Sequence, residues 1–177
     1  PAEKLMDAVV RLYGPGSGDQ IQASRMHAYS FEKLRILLEH GTDIEAVQSD
    51  MGAADWIVFA FSDADEMQYE KTIFQRLFTE RLDLTRDKKI IGMAFNAPYY
   101  FDATDVSKFT AYYAFYSRIS VFFDIAARVL FQELTPTGDL PVSVPGIGYD
   151  LITATSPDPN QIIPLNIESP GEGQILG

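Results

Sequence analysis

The segment of residues 88–145 alternates between apolar runs of strand length and helical patterns. It opens with Lys88 and Lys89 and then continues apolar to Phe95, as expected for a strand buried on both faces of a parallel sheet. The further predicted elements are a short helix at 102–108, a strand at 110–116, a long helix at 119–134 and a strand at 139–144. This alternation predicts an α/β fold with a mostly parallel sheet sandwiched between helices, a flavodoxin-like three-layer sandwich.

The long helix at 119–134 is more apolar than one face of a sheet requires. Its polar residues are Ser120, Asp124, Arg128 and Gln132, which form one stripe at four-residue spacing. Asp124 and Arg128 stand in the favourable order for a surface ion pair. Because nearly all other positions are apolar, we expect a second layer to cover this helix, either from this chain or from a partner.

The sequence before this segment predicts one more strand and several helices. Residues 54–61 give the clearest early strand, and residues 65–82 have the pattern of an amphipathic helix. Ser30 is the predicted cap of a helix that stops near Gly41. Residues 7–13 are compatible with a first strand or with the end of a helix.

Length and composition predict one domain and a tail. We assign the domain to residues 1–150 of the 177, which is enough chain for a real core. Residues 151–177 are rich in proline, glycine and polar residues, so we expect an extended tail or a linker toward a further domain. Because the chain begins with Pro1 and not with Met, we expect it to be a piece of a longer protein.

Charge and cysteine content exclude some classes of partner and chemistry. A net charge of −11 argues against nucleic acid and anionic membranes as partners. The sequence has no run of about 18 apolar residues, so it predicts no membrane-spanning helix. The absence of cysteine excludes disulfides and thiol chemistry, but it leaves the compartment open, and a secreted or a cytoplasmic parent protein are both compatible with it.

Acidic side chains follow the strand at 54–61. In an open parallel sheet, ligands bind beyond the carboxyl ends of the strands. Asp63 and Asp65, with Glu66 beside them, are therefore candidates to bind a substrate, to hold Mg²⁺ or to act as acid and base. The alternative is that they charge the first turn of the next helix, where the helix dipole favours anions.

A second group of candidate binding residues follows the strand at 88–95. Asn96, Tyr99 and Asp102 combine an amide, an aromatic ring and a carboxylate, which suit the hydroxyl groups and the flat face of a sugar. Tyr100 lies among them, and Tyr116 with its neighbours follows the next strand. The alternative is an ordinary loop whose polar residues cap the short helix, for which we also expect Thr104 or Asp105 as the cap.

Several motifs of catalysis and cofactor binding are missing. The glycine-rich residues 14–18 lack the Lys-Ser or Lys-Thr pair of a phosphate-binding loop. His27 and His40 have no zinc-ligand spacing, and no Gly-x-Ser-x-Gly is present. From these motifs we predict no catalytic residue, no metal ion and no cofactor.

A family resemblance is carried by residues 126–145, which read AARVLFQELTPTGDLPVSVP. They are similar to the end of the second, α/β-sandwich domain of family 3 glycoside hydrolases, where a helix ends in "vLfGe" and "nPsGrLPvsvP" follows. The departures are Gln132, Thr135, Thr137 and Asp139, in place of the usual Gly, Asn, Ser and Arg. Residues 90–100 also resemble the family's "vvvvafgnPy" strand and loop, and the resemblance covers about residues 8–150.

The resemblance implies a non-catalytic or accessory C-terminal domain of a glycoside hydrolase. Such a domain packs on the barrel domain of the same parent chain and shapes the sugar pocket, with the carbohydrate substrate at the domain interface. In this family the nucleophile lies in the barrel, as the Asp of a Ser-Asp motif, so we expect this chain to be inactive alone. Ser49-Asp50 matches that motif only by coincidence, because it lies in a helical pattern of this domain.

Two other interpretations stay open. One is a free-standing flavodoxin-like domain that binds a small ligand or a metal ion at its strand ends. The other is an autonomous enzyme that uses Asp63 and Asp65 with Mg²⁺. A stability shift on adding metal favours the enzyme, whereas a response to sugars only in the presence of the parent barrel favours the accessory domain.

Overall fold

The computed structural model describes residues 1–62, 67–97 and 99–138, and in these ranges it shows seven α-helices and three β-strands. The helices are α1 Ala2–Tyr13, α2 Phe31–Leu38, α3 Glu45–Ala53, α4 Met67–Glu80, α5 Leu82–Thr85, α6 Ala103–Val106 and α7 Ser120–Leu130. The strands are β1 Trp56–Phe61, β2 Lys89–Ala94 and β3 Ala111–Ala114, and a short 3-10 helix covers Ala23–Arg25. Over the same ranges, none of the helices combines the length and the apolar character that crossing a membrane requires.

The three strands form a parallel sheet in the order β1-β2-β3. Helices α1 and α7 pack on one face, while α2 and α4 pack on the other. This arrangement confirms the predicted α/β fold with a mostly parallel sheet between helices. The predicted strand at 139–144 and the tail at 151–177 lie outside the described residues.

The first face of the sheet, here called the ring face, is packed mainly by aromatic side chains. From the sheet it receives Ile57, Phe59, Phe61, Ile90 and Tyr112, which follow the period of two expected for strands. From the helices and loops it receives Leu34, Leu37, Leu38, Ile73, Phe74, Leu77, Phe101 and Phe109. Ser30 accepts a hydrogen bond from the Lys33 N–H at 3.3 Å, so the predicted cap of α2 is confirmed.

The second face, here called the alanine face, is packed by α1 and α7. The sheet contributes Ala60, Ile91, Met93 and Phe95, and the two helices contribute Leu5, Ala8, Val9, Phe123, Ala126 and Ala127. Residues 7–13 therefore lie in a helix, which confirms the alternative of a helix end, and the prediction of a first strand is wrong. The reason is that Leu5, Ala8 and Val9 extend the apolar pattern toward the N-terminus at helical spacing.

Helix α1 is the second layer expected on the long helix. Arg11 of α1 pairs with Asp124 of α7, so this aspartate has its partner across the two helices and not at Arg128. The cover is partial, since Ile119 and Val121 at the start of α7 remain 61% and 49% exposed.

Helix α7 ends at Leu130, four residues earlier than predicted. Gln132 has a φ of 58°, in the left-handed region, and its N–H donates to the Val129 carbonyl at 3.0 Å. The Glu133 N–H donates to the Arg128 carbonyl at 2.9 Å. These two bonds form a Schellman motif, which closes the helix and turns the chain away.

The turn after α7 is tied back to α1. The Tyr13 hydroxyl donates to Glu133 Oε2 at 2.6 Å, and the Tyr13 ring stacks on Phe131 at a centroid distance of 4.0 Å. Burial, followed by this hydrogen bond, raises the pKa of Tyr13 to about 12. The turn at Phe131 and Glu133 is thus held in place by Tyr13 of α1.

Candidate functional site

The carboxyl ends of the three strands lie in one row. Phe61 of β1 pairs with Ala94 of β2, and Ala94 pairs in turn with Ala114 of β3. The loops that follow the strands therefore leave the sheet side by side, which is where open parallel sheets bind ligands.

Three tyrosines stand exposed on these loops, and we call them the tyrosine rim: Tyr99, Tyr100 and Tyr116. Tyr99 and Tyr116 are 47% and 46% exposed, and their ring centroids lie 6.4 Å apart at an angle of 55°. The loop after β2 and the loop after β3 thus bring two aromatic rings together at the carboxyl edge. The sequence predicted Tyr99 as a binding residue and named Tyr116 as a second candidate, but it did not predict that they meet.

Tyr116 adopts a left-handed backbone conformation, with a φ of 55°. This region is unfavourable for a bulky side chain and costs on the order of 1–3 kcal/mol, so the surrounding structure has to hold the residue there. Such residues cluster at ligand sites. The left-handed turn directs the chain from β3 into α7, and it leaves the Tyr116 ring exposed beside Tyr99.

Asp102 performs the helix-cap role that was the alternative to sugar binding. Its Oδ1 accepts the Asp105 N–H at 3.0 Å, so Asp102 caps α6, and the prediction of Thr104 or Asp105 as the cap is wrong. The cap leaves the second oxygen, Oδ2, 4.0 Å from Lys71 Nζ, and the side chain is mostly exposed. Asn96 lies half-buried on the same loop.

A buried carboxylate behind the rim was missed by sequence analysis. Asp105 is only 1% exposed, and its oxygens accept two hydrogen bonds from Gln75 Nε2 at 3.0 Å. Lys71 Nζ and Lys108 Nζ each lie 3.3 Å from this carboxylate. Burial pushes the pKa of Asp105 up, but the bonds from Gln75, Lys71 and Lys108 outweigh it and hold the pKa below its usual value.

The Asp105 network reaches the rim through Lys71. Lys71 Nζ donates to the Tyr100 carbonyl at 2.8 Å, so one lysine links the buried carboxylate to the loop of Tyr99 and Tyr100. A signal for part of this network is present in the sequence, since Lys71 and Gln75 are four residues apart on α4 and share one helix face. Nothing in the sequence pattern indicates that Asp105 is buried.

Three acidic candidates fall outside the described residues. Asp63, Asp65 and Glu66 are among residues 63–66, so their predicted roles in substrate or metal binding stay predictions. In the described ranges, no group of three histidine, aspartate or glutamate side chains is placed to hold a metal ion.

Among the described residues, two open depressions lie at opposite ends of the strands. One, of about 290 Å³, lies beside the rim and is lined by Pro1, Lys4, Ser62, Arg118 and Phe123. The other, of about 520 Å³, is lined by residues that include Gly52 and Leu84, which precede β1 and β2. The larger depression is therefore at the amino ends of the strands, away from the tyrosines, and its position does not favour it as the ligand site.

Asp50 is engaged in contacts within the domain. The Tyr29 hydroxyl donates to Asp50 Oδ2, and His27 Nδ1 lies 3.1 Å from the same oxygen. The hydrogen bond to Asp50, followed by burial, raises the pKa of Tyr29 to about 12. Since Asp50 lies on α3, before β1, it is placed at the other end of the sheet from the rim.

In comparisons with protein-family models, with curated proteins and with solved structures, nothing matches this chain.

Proposed function

We propose that this chain is the second, α/β-sandwich domain of a family 3-type glycoside hydrolase. In this proposal the domain packs on the barrel domain of its parent chain and forms one wall of the sugar pocket. The observation that carries the proposal is the tyrosine rim, in which Tyr99 and Tyr116 expose their rings 6.4 Å apart at the carboxyl edge. Exposed aromatic rings with an amide and a carboxylate nearby, here Asn96 and Asp102, suit the apolar face and the hydroxyl groups of a pyranose.

The backbone at the end of α7 agrees with the family resemblance. Gln132 replaces the glycine that the family usually carries, and its φ of 58° lies where glycine is the favoured residue. The glycine of the family pattern therefore falls where this chain makes a left-handed turn. Glu133, which also belongs to the family pattern, is held by Tyr13 and Arg128.

The carboxylates described near the tyrosine rim support an accessory role and not independent catalysis. A retaining glycosidase needs two carboxyl groups about 5 Å apart on either side of the bond that is cleaved. Beside the tyrosine rim, the exposed carboxylate among the described residues is that of Asp102, and one of its oxygens caps α6. Asp105 is buried among lysines behind the rim. The nucleophile is therefore expected from the barrel domain.

The first test compares this chain with its full-length parent on a panel of nitrophenyl glycosides. We expect hydrolysis by the parent and none by this chain, because the nucleophile is supplied by the barrel. Hydrolysis by this chain alone would contradict the accessory role and would direct attention to Asp63 and Asp65 as catalytic carboxylates.

The second test asks whether the rim contacts the sugar. In the parent, Tyr99→Ala and Tyr116→Ala are expected to raise KM roughly three- to tenfold, since one aromatic contact is worth about 1 kcal/mol. Trp56→Ala is the matched control, because Trp56 is also an exposed ring but lies at the amino end of β1. Unchanged KM values in both tyrosine variants would contradict the pocket-wall role.

A further inference from the structure

We propose that Lys71 is a positioning residue for the tyrosine rim: its ammonium group, held by the buried Asp105, fixes the Tyr100 carbonyl and thereby the loop that presents Tyr99 and Tyr100. The consequence for sugar binding rests on the proposed function. The effect on the loop itself does not, and it can be measured in this chain without any ligand.

The geometry places Lys71 between a fixed group and a loop. On one side its Nζ lies 3.3 Å from Asp105, whose carboxylate is buried and also bound by Gln75. On the other side the same Nζ donates to the Tyr100 carbonyl at 2.8 Å. Asp102 Oδ2, at 4.0 Å, adds a second negative charge on the same loop. The ammonium is therefore held by α6 and binds the chain between β2 and α6.

The local charges make Lys71 well suited to this role. A hydrogen bond from a charged ammonium to a carbonyl is stronger than one between neutral groups, and partial burial reduces the competition from water. Only 17% of the Lys71 side chain is exposed. If the ammonium is removed, the Tyr100 carbonyl loses this bond and the loop loses its link to α4.

Lys108 provides a matched control inside the same network. Its Nζ lies 3.3 Å from Asp105, as that of Lys71 does, and its side chain is 23% exposed. The contacts of Lys108 Nζ in the described structure are Asp105 and the rings of Phe74 and Phe78, not the loop carbonyl. Lys71→Met and Lys108→Met therefore remove the same charge from Asp105, but only the first releases Tyr100.

The experiment is limited chymotrypsin digestion of the full chain, with the cleaved bonds identified by mass spectrometry. Chymotrypsin cuts after tyrosine when the local backbone opens, so cleavage after Tyr99 and Tyr100 reports on the loop. We expect Lys71→Met to speed cleavage at these two bonds roughly tenfold and Lys108→Met to change it less than twofold. Cleavage after Tyr69 and Tyr116 should stay within twofold in both variants, and Lys71→Arg should restore slow cleavage.

Equal cleavage in Lys71→Met and Lys108→Met would overturn the proposal, as would faster cleavage at every tyrosine, which indicates general loss of stability. If Lys71→Met does not fold, Lys71→Gln and Lys108→Gln are compared under the same criterion, because they keep a polar side chain while removing the charge.

In the parent enzyme, Lys71→Met is expected to raise KM and leave kcat unchanged. A loop that opens with no change in KM supports the positioning of the loop and contradicts its role in sugar binding. Conversely, if Tyr99→Ala raises KM but Lys71→Met leaves the loop resistant to cleavage, the role of the rim in sugar binding is supported and the positioning role of Lys71 is contradicted.

Discussion

The two faces of the sheet differ in where their small and their large side chains lie. On the ring face the central strand offers Ile90 and two small residues, Gly92 and Ala94, and aromatic rings from the neighbouring elements fill the space above Gly92. On the alanine face the central strand offers Ile91, Met93 and Phe95, and the helices above place alanines among their larger side chains. Under the ring face the small side chains are thus Gly92 and Ala94 of β2, whereas on the alanine face they include Ala8, Ala126 and Ala127 of the helices.

The consequence is a different kind of contact on each face. The rings of the ring face meet at stacked and edge-on angles, with the Phe74 and Phe109 centroids 4.8 Å apart and those of Phe61 and Phe101 4.9 Å apart. On the alanine face, Ala126 and Ala127 are fully buried, and the close contact between elements is that of α7 with α1. We therefore expect the ring face to be more sensitive to the removal of a single large side chain.

The largest effect is expected for Phe74→Ala. The Phe74 ring contacts five other phenylalanine rings, whereas Phe123 on the alanine face meets the ring of Phe95. Phe74→Ala should lower the free energy of unfolding by about 3–5 kcal/mol, measured by guanidinium denaturation. Phe123→Ala is the matched control and should cost less, since fewer ring contacts are lost. Equal losses of unfolding free energy in the two variants would contradict the expected difference in sensitivity between the two faces.

A second substitution tests the small residue of the ring face. A Cβ on Gly92 would lie 2.4 Å from Tyr112 Cδ2 and 2.8 Å from Phe109 Cε1, so two rings have to move. Gly92→Ala should therefore cost about 1–3 kcal/mol by overpacking. The control is Gly52→Ala in α3, where a Cβ meets nothing within 4 Å, and it should stabilise by up to about 1 kcal/mol. Opposite signs in thermal unfolding are the expected result, and a stabilising Gly92→Ala would contradict the packing described.

The sequence predicted the parts of the fold that depend on periodicity. The apolar run of β2 and the helical spacing of α4 follow directly from alternation of residue types, and both are confirmed. Residues 7–13 were ambiguous because a short apolar run suits a strand or a helix, and the outcome depended on Leu5 packing against the alanine face. Gly92 could not be understood from the sequence, because the rings above it come from residues that are close only in the folded chain.

The candidate site was predicted by position and not by geometry. The rule that ligands bind beyond the carboxyl ends of parallel strands led to Tyr99 and Asn96, and Tyr99 does stand on that edge beside Tyr116. Asp102 follows β2 on the same loop and caps α6, and its role in substrate binding stays a prediction. The network of Asp105 and Lys71 was missed, because burial of a charge depends on partners from α4 and α6 that the local pattern does not reveal.

The two faces also differ in the burial of their ion pairs. The ion pairs of Asp105 are buried at the edge of the ring face, whereas Asp124 pairs with Arg11 on the surface of the alanine face. Asp105→Asn should cost about 1–3 kcal/mol at neutral pH, because the two lysines lose a charged partner inside the protein. Asp124→Asn is the control and should cost less than about 1 kcal/mol.

The stabilisation that Asp105 provides is expected to change with pH in a defined direction. Since the pKa of Asp105 is lowered in the folded protein, its stabilisation is fully present above the unfolded value of about 3.9 and is lost as the pH falls through the folded pKa. The difference between the wild type and Asp105→Asn, from urea denaturation, should therefore be constant above about pH 5 and shrink below about pH 4. A difference that grows on acidification would contradict the assigned direction.

The smallest effects are expected at two helix ends that share one motif on opposite faces. Helix α2 on the ring face and α7 on the alanine face both close with a left-handed residue, His40 with a φ of 54° and Gln132 with a φ of 58°. His40→Gly and Gln132→Gly should each stabilise by roughly 0.5–1 kcal/mol, because relief of the left-handed conformation exceeds the added entropy of the unfolded chain. Gln132→Ala is the control for loss of the side chain and should stay within about 0.5 kcal/mol of the wild type. If the faces differ only in their packing, calorimetry should give the same gain at both ends, and a gain at Gln132 alone would mean that the turn after α2 is held by more than its local motif.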